Sequence, residues 1–102
     1  MELVNPILTI TGSDSTGGSG VQADIKAISA LGGYAVSAIT SITVQNTLGI
    51  QQFYDIPAEI VLGQIEAIIN DIQPQVVKIG MIRRVDVIAA VTTALLKYKP
   101  SQ

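Results

Sequence analysis

The feature that most constrains this chain is a run of turn residues, Gly12-Ser13-Asp14-Ser15-Thr16-Gly17-Gly18-Ser19-Gly20, set between a β-branched segment and a helical repeat. Ile7-Leu8-Thr9-Ile10-Thr11 reads as a short buried strand that stops at Gly12. After the loop, Val21, Ile25, Ile28 and Leu31 recur at three- and four-residue steps, giving a helix with one apolar face that Gly32-Gly33 ends. Open α/β sheets bind ligands at the carboxyl ends of their strands, where a helix N-terminus offers unpaired N–H groups. Glycine lets the backbone come close to a ligand with no Cβ in the way. Three glycines in four residues exceed what a plain turn needs, so the loop is a candidate ligand site.

Two phosphate-binding patterns can be tested against it. A Walker A loop starting at Gly12 needs lysine after Gly17, and position 18 is glycine. Gly18-Ser19-Gly20-Val21-Gln22-Ala23 fits the dinucleotide fingerprint G-x-G-x-x-A, but that fold also needs an acid at the end of the second strand. Gln45 and Asn46 stand there instead.

Ala35 to Val44, rich in Ile, Val and Thr, reads as a second strand, and Ile50 to Ile56 as a third. Pro57 opens a helix whose stripe is Val61, Ile65, Ile68 and Ile72, ended by Gln73-Pro74. Val76 to Gly80 is a fourth strand, and Ile88, Val91, Leu95 and Tyr98 mark a last helix. Alternation of this kind predicts an α/β layer on a mostly parallel sheet. At 102 residues the chain is at most one small domain. It is 48% hydrophobic and 14% charged, with a mean hydropathy of +0.48, which is apolar for a domain with so much surface. The expectation is that part of this surface is covered by further chain or by a partner, and that Gln102 cuts the pattern short. Met1 to Pro6 has no basic, apolar leader pattern, and cysteine and histidine are absent. A cytosolic location is the default expectation, with no metal ligand set, and the net charge of −2 gives no pull toward nucleic acid or an anionic membrane.

The stretch Ile10 to Asp24 closely resembles the opening signature of the hydroxymethylpyrimidine kinases, a ribokinase-like family of thiamine biosynthesis. The resemblance continues through Ser29-Ala30-Leu31-Gly32, Val44 to Gly49 and Lys78-Ile79-Gly80-Met81, in the same order and spacing, with Ser19 where alanine is common and Arg83-Arg84 where neutral or acidic residues are common. It implies a three-layer α/β/α fold with a mostly parallel central sheet, of which residues 1–102 are the N-terminal, substrate-binding part. It also implies ATP- and Mg²⁺-dependent phosphorylation of 4-amino-5-hydroxymethyl-2-methylpyrimidine and its monophosphate, and a homodimer. The family's catalytic aspartate sits in a C-terminal G-x-G-D segment, and no such segment occurs here.

Among the residues, Gln45 is the first candidate for the substrate. Its amide offers an acceptor and a donor at the separation of a 4-aminopyrimidine edge, as Asn and Gln do in reading adenine. Asp24, a turn into the first helix, is a carboxylate acceptor for the substrate's amine or hydroxyl, or else a solvated acid near a helix N-terminus. Gly12, Ser19 and Met81 match pocket-lining positions of the family. Asp14 is suited to bonding its own loop, and Lys78 to pairing with a carboxylate. The rival readings are a pyridoxal kinase, which lacks the aminopyrimidine edge that Gln45 suits, and a non-catalytic pyrimidine-binding module.

Overall fold

The computed structural model describes residues 5–102, so that the first four residues of the Met1 to Pro6 stretch read above lie outside it. β1 (Pro6–Thr11) is the middle of a three-stranded parallel sheet, flanked by β2 (Tyr34–Ile39) and β5 (Val76–Ile79) in the order β2-β1-β5. Leu8 pairs with Val36 on one side and Val77 on the other. With a neighbour on each edge and helices over both faces, β1 buries Leu8 and Ile10 completely.

Alternation along β1 sorts the layers. Leu8 and Ile10, with Val36 and Ala38 of β2, face α2 (Ala58–Ile69) and α3 (Val85–Tyr98), whose Val61, Ile65, Val87, Val91 and Ala94 complete the core. Thr9 points to the opposite face, where its hydroxyl donates to Asp24 of α1 (Gly20–Ala30) at 2.6 Å. The result is the expected three-layer α/β/α arrangement. Burying these core aliphatics contributes about 1.5–3 kcal/mol for each fully buried large side chain.

The helix ends follow their sequence signals. Past α1, Gly33 N–H donates to Ile28 O and Gly32 N–H to Ser29 O, with Gly32 at φ +88°, a left-handed cap that only glycine adopts freely. Pro57 precedes α2 and its carbonyl accepts from Ile60 and Val61.

Three expectations need correction. Ala35 to Val44 is not one strand. The chain leaves the parallel sheet at Thr40, which bonds β1 through Thr11 O, and β3 (Ser41–Asn46) then pairs antiparallel with β4 (Gly49–Asp55) as a separate two-stranded hairpin. No glycine or proline marks that break, so β-branched composition ran across it. The core stripe of α3 is Val87, Val91 and Ala94, while Ile88 is half exposed. On α1 only Val21 is buried, and Leu31 is 89% exposed.

Candidate functional site

Because the three sheet strands run in parallel, their carboxyl ends lie together, with Thr11 beside Ile39 and Ile10 beside Ile79. The segments that follow are therefore neighbours: the glycine loop after β1, the hairpin after β2, and Gly80-Met81 after β5. They enclose a cavity of about 200 Å³ lined by Thr11, Gly12, Ser13, Ser19, Gly20, Gln45, Ile50, Lys78, Gly80 and Met81. A larger cavity of about 670 Å³ lies at the opposite, amino edge of the sheet, among Pro6, Ile7, Ile28, Leu31 and Val76, and no ionisable side chain lines it. The smaller one has the convergent polar groups that fix a ligand's orientation.

The glycine loop is folded around its own carboxylate. Asp14 Oδ1 accepts from the Thr16 N–H and hydroxyl, and Oδ2 from the N–H groups of Gly18 and Ser19 and the Ser19 hydroxyl, all between 2.8 and 3.1 Å. These bonds, the Thr16 hydroxyl first, hold the Asp14 carboxyl below its usual range against the opposing cost of burial. Its role in ordering the loop is as expected, and it leaves those N–H groups committed to Asp14. Gly12 O accepts from Val21 N–H at 2.9 Å, which seats the start of α1 against the end of β1. Gly20 stands at φ +64°, and a Cβ there would lie 2.6 Å from Gly12 O. A Cβ on Gly12 would lie 2.6 Å from Met81 Cε, so the thioether occupies the space that glycine leaves.

Four of the five expected substrate residues, Gly12, Ser19, Gln45 and Met81, line the cavity. Asp24 does not. Its carboxylate is engaged by the Thr9 hydroxyl and by Lys78 Nζ at 2.9 Å, and it reaches the cavity only through Lys78. Lys78 thus pairs with a carboxylate, as read. Its strand is an edge of the sheet formed by the described residues, however, and its side chain is half exposed.

Gln45 is aimed by a bulge. Val44 pairs with Gln52, but Gln45 pairs with Ile50, leaving Gln51 as an extra residue in β4. The hydroxyl of Thr43, a buried residue, contacts both Ser13 O, at 2.7 Å, and Gln45 Oε1, and Thr43 N–H donates to Ser13 Oγ at 3.3 Å. On the far wall, Thr11 Oγ1 accepts from Met81 N–H at 3.0 Å and the Thr40 hydroxyl donates to Met81 O at 2.8 Å. These threonines position the site and were missed in the sequence. The available signal was hydroxyl residues at the carboxyl ends of strands, but threonine's β propensity hid it. Arg83, beyond Met81, is bonded to Asp55 at 2.9 Å and lies over the Phe53 ring, fastening the loop after β5 to the base of the hairpin.

The phosphomethylpyrimidine kinase family model matches residues 14–102. The chain belongs to that family. It is 48% identical over 93 residues to the hydroxymethylpyrimidine/phosphomethylpyrimidine kinase of Mycobacterium leprae, covering 91% of this chain and 33% of that protein. For the Escherichia coli K12 enzyme of the same name the figures are 42% over 92 residues, 90% and 35%. Among solved structures, the Clostridium difficile phosphomethylpyrimidine kinase superposes with a TM-score of 0.90 at 49% identity, over 93% of this chain and 41% of that one. A Bacillus subtilis pyridoxal kinase, solved as an ADP complex, gives 0.85 at 31% identity, over 94% and 38%. The fold is therefore ribokinase-like, and the chain spans about a third of the length of the curated relatives it matches.

Proposed function

We propose that this chain forms the pyrimidine-binding part of an ATP-dependent kinase that phosphorylates 4-amino-5-hydroxymethyl-2-methylpyrimidine and then its monophosphate in thiamine biosynthesis. The observation that carries the reading is the convergence of Gln45, Gly12, Ser19 and Met81 on one cavity at the carboxyl edge of the sheet. Gln45 supplies the bidentate amide for the amine and ring nitrogen, and Met81 an apolar contact for the ring face. Asp24 contributes through Lys78, by holding that ammonium at the cavity wall. Binding of the ring here orients the hydroxymethyl group for attack on the nucleotide's terminal phosphate.

Nucleotide use is supported by relatives solved with ADP and with AMP-PCP. Mg²⁺ would neutralise phosphate charge in such a transfer. Among the described residues no three acidic or other ligating side chains converge on one point, so these residues do not form a dedicated all-protein site for the ion. The same reading includes a homodimer, for which the half-exposed Ile42 and Val44 on the hairpin offer apolar surface. Among the described residues no helix is long and apolar enough to cross a membrane.

The test is a calorimetric titration of the chain with the aminopyrimidine alcohol. Gln45→Leu orphans two ligand hydrogen bonds and should weaken binding by roughly 2–4 kcal/mol. An unchanged Kd removes Gln45 from the site. A second reading, a pyridoxal kinase, is favoured by the fold likeness at 31% identity. Titration with pyridoxal beside the aminopyrimidine separates the two, and tighter binding of pyridoxal would reverse the assignment.

A further inference from the structure

The contacts around Thr43 raise a counting problem whose solution bears on specificity. A hydroxyl carries one hydrogen. Ser13 O and Gln45 Oε1 both lie against the Thr43 hydroxyl as acceptors, and they compete for it. The Thr43 hydroxyl is the hydrogen-bond donor found for Ser13 O among the described residues, whereas the Gln45 amide nitrogen has no partner among them. A half-turn of the amide about its last side-chain bond removes the conflict. Thr43 then donates to Ser13 O at 2.7 Å, and Gln45 Nε2 donates to the lone pairs of Thr43 Oγ1. Gln45 Oε1 is left facing the cavity as a free acceptor, with the second N–H beside it. Thr43 is itself fixed, since it is only 3% exposed and its N–H donates to Ser13 Oγ.

We propose that Thr43 is a specificity-determining positioning residue: tied to Ser13 O, it locks the Gln45 amide in one orientation, so that the site accepts a ring edge with an amine donor beside a ring-nitrogen acceptor and rejects the reverse order. The inference rests on the pyrimidine reading above and adds to it a reason for discrimination. Without the lock, a glutamine amide turns over and reads an oxo group beside a ring N–H equally well, since the two edges exchange donor for acceptor. The ligand cannot compensate by turning over in its plane, because that carries the hydroxymethyl group to the other side of the ring.

The experiment measures binding of two probes to the chain, 4-amino-5-hydroxymethyl-2-methylpyrimidine and its 4-oxo analogue, for the wild type, Thr43→Val and Thr43→Ser. The wild type should prefer the amine by roughly ten- to a hundredfold, the range of a good bidentate pair against its mismatch. In Thr43→Val the preference should fall to within about threefold of unity, chiefly by a gain for the oxo analogue, and Thr43→Ser should restore it. A purely structural role would weaken both probes together and leave the ratio unchanged, which overturns the proposal while leaving the pyrimidine reading intact. A wild type that binds neither probe, or does not distinguish them, overturns both. A measurement on the unmutated protein keeps the proposal open to refutation if Thr43→Val does not fold: Gln45 amide protons should show nuclear Overhauser contacts to the Thr43 side chain, and their absence overturns the lock.

Discussion

At the scale of single residues, the glycines of the loop are not equivalent. Gly20 is held at φ +64°, and a Cβ there meets the Gly12 carbonyl, a backbone atom that cannot swing aside. Gly18 has no such φ, and a Cβ there would lie 3.6 Å from Asp14 Oδ2, an ordinary contact. Gly20→Ala should therefore lose more than about 2 kcal/mol of stability, from left-handed strain plus displacement of the loop. Gly18→Ala should stay within about 0.5 kcal/mol of the wild type and keep its pyrimidine affinity. Thermal unfolding and titration of the two variants check this, and equal damage by both would show that the loop is not built as described. The sequence alone made all the glycines look like ligand-facing positions. It could not show that Asp14 takes up the N–H groups of Gly18 and Ser19, because that depends on the path of the loop through space.

At the scale of elements, strand and helix existence was legible wherever a turn residue punctuated it, as at Gly12, Gly32 and Pro57. The division of Ala35 to Val44 was not, because what ends β2 is tertiary. Ile39 closes its strand against a side chain, Gln64 of α2, which accepts from Ile39 N–H at 2.9 Å and donates to Ile39 O at 3.0 Å. Gln64 thus acts as a one-residue strand partner where β2 has no neighbour on its outer edge. Gln64→Leu keeps the side-chain bulk but orphans both backbone groups, and should cost about 1–3 kcal/mol in urea unfolding. A change below about 0.5 kcal/mol would mean that water replaces both bonds without loss. The register slip at Gln51, which aims Gln45, was equally invisible, since no glycine marks it. Gln45 stood out as a candidate in the sequence because amide chemistry is specific, and the structure places it in the cavity lining. Thr43, two residues away, looked like any other β-former.

At the scale of the whole molecule, the high mean hydropathy has a visible counterpart. Leu31, Leu48, Val85 and Leu96 are each more than two-thirds exposed, beyond what a domain of this size usually leaves in water. Among the described residues, the cavity at the carboxyl edge of the sheet has no unpaired acid or base in its lining. Asp24 is paired with Lys78, Asp55 with Arg83, Asp86 with Arg84, and Asp14 with its own loop. We therefore expect the purified chain to bind the pyrimidine alcohol without converting it when ATP is supplied, as checked by mass spectrometry of the products. Turnover comparable to an intact family member would show that one of these paired carboxylates is freed for chemistry. The cavity itself joins two sheets of unequal build. Gly12 extends β1, which is hydrogen-bonded on both edges, whereas Gln45 belongs to a two-stranded ribbon, a form that is marginal in water by itself. Local opening should therefore cost less on the Gln45 side than on the Gly12 side. On the proposed reading, the wall that would hold the ring is then also the door through which it would enter, and ligand exchange should follow fraying of the ribbon while the glycine wall stays closed.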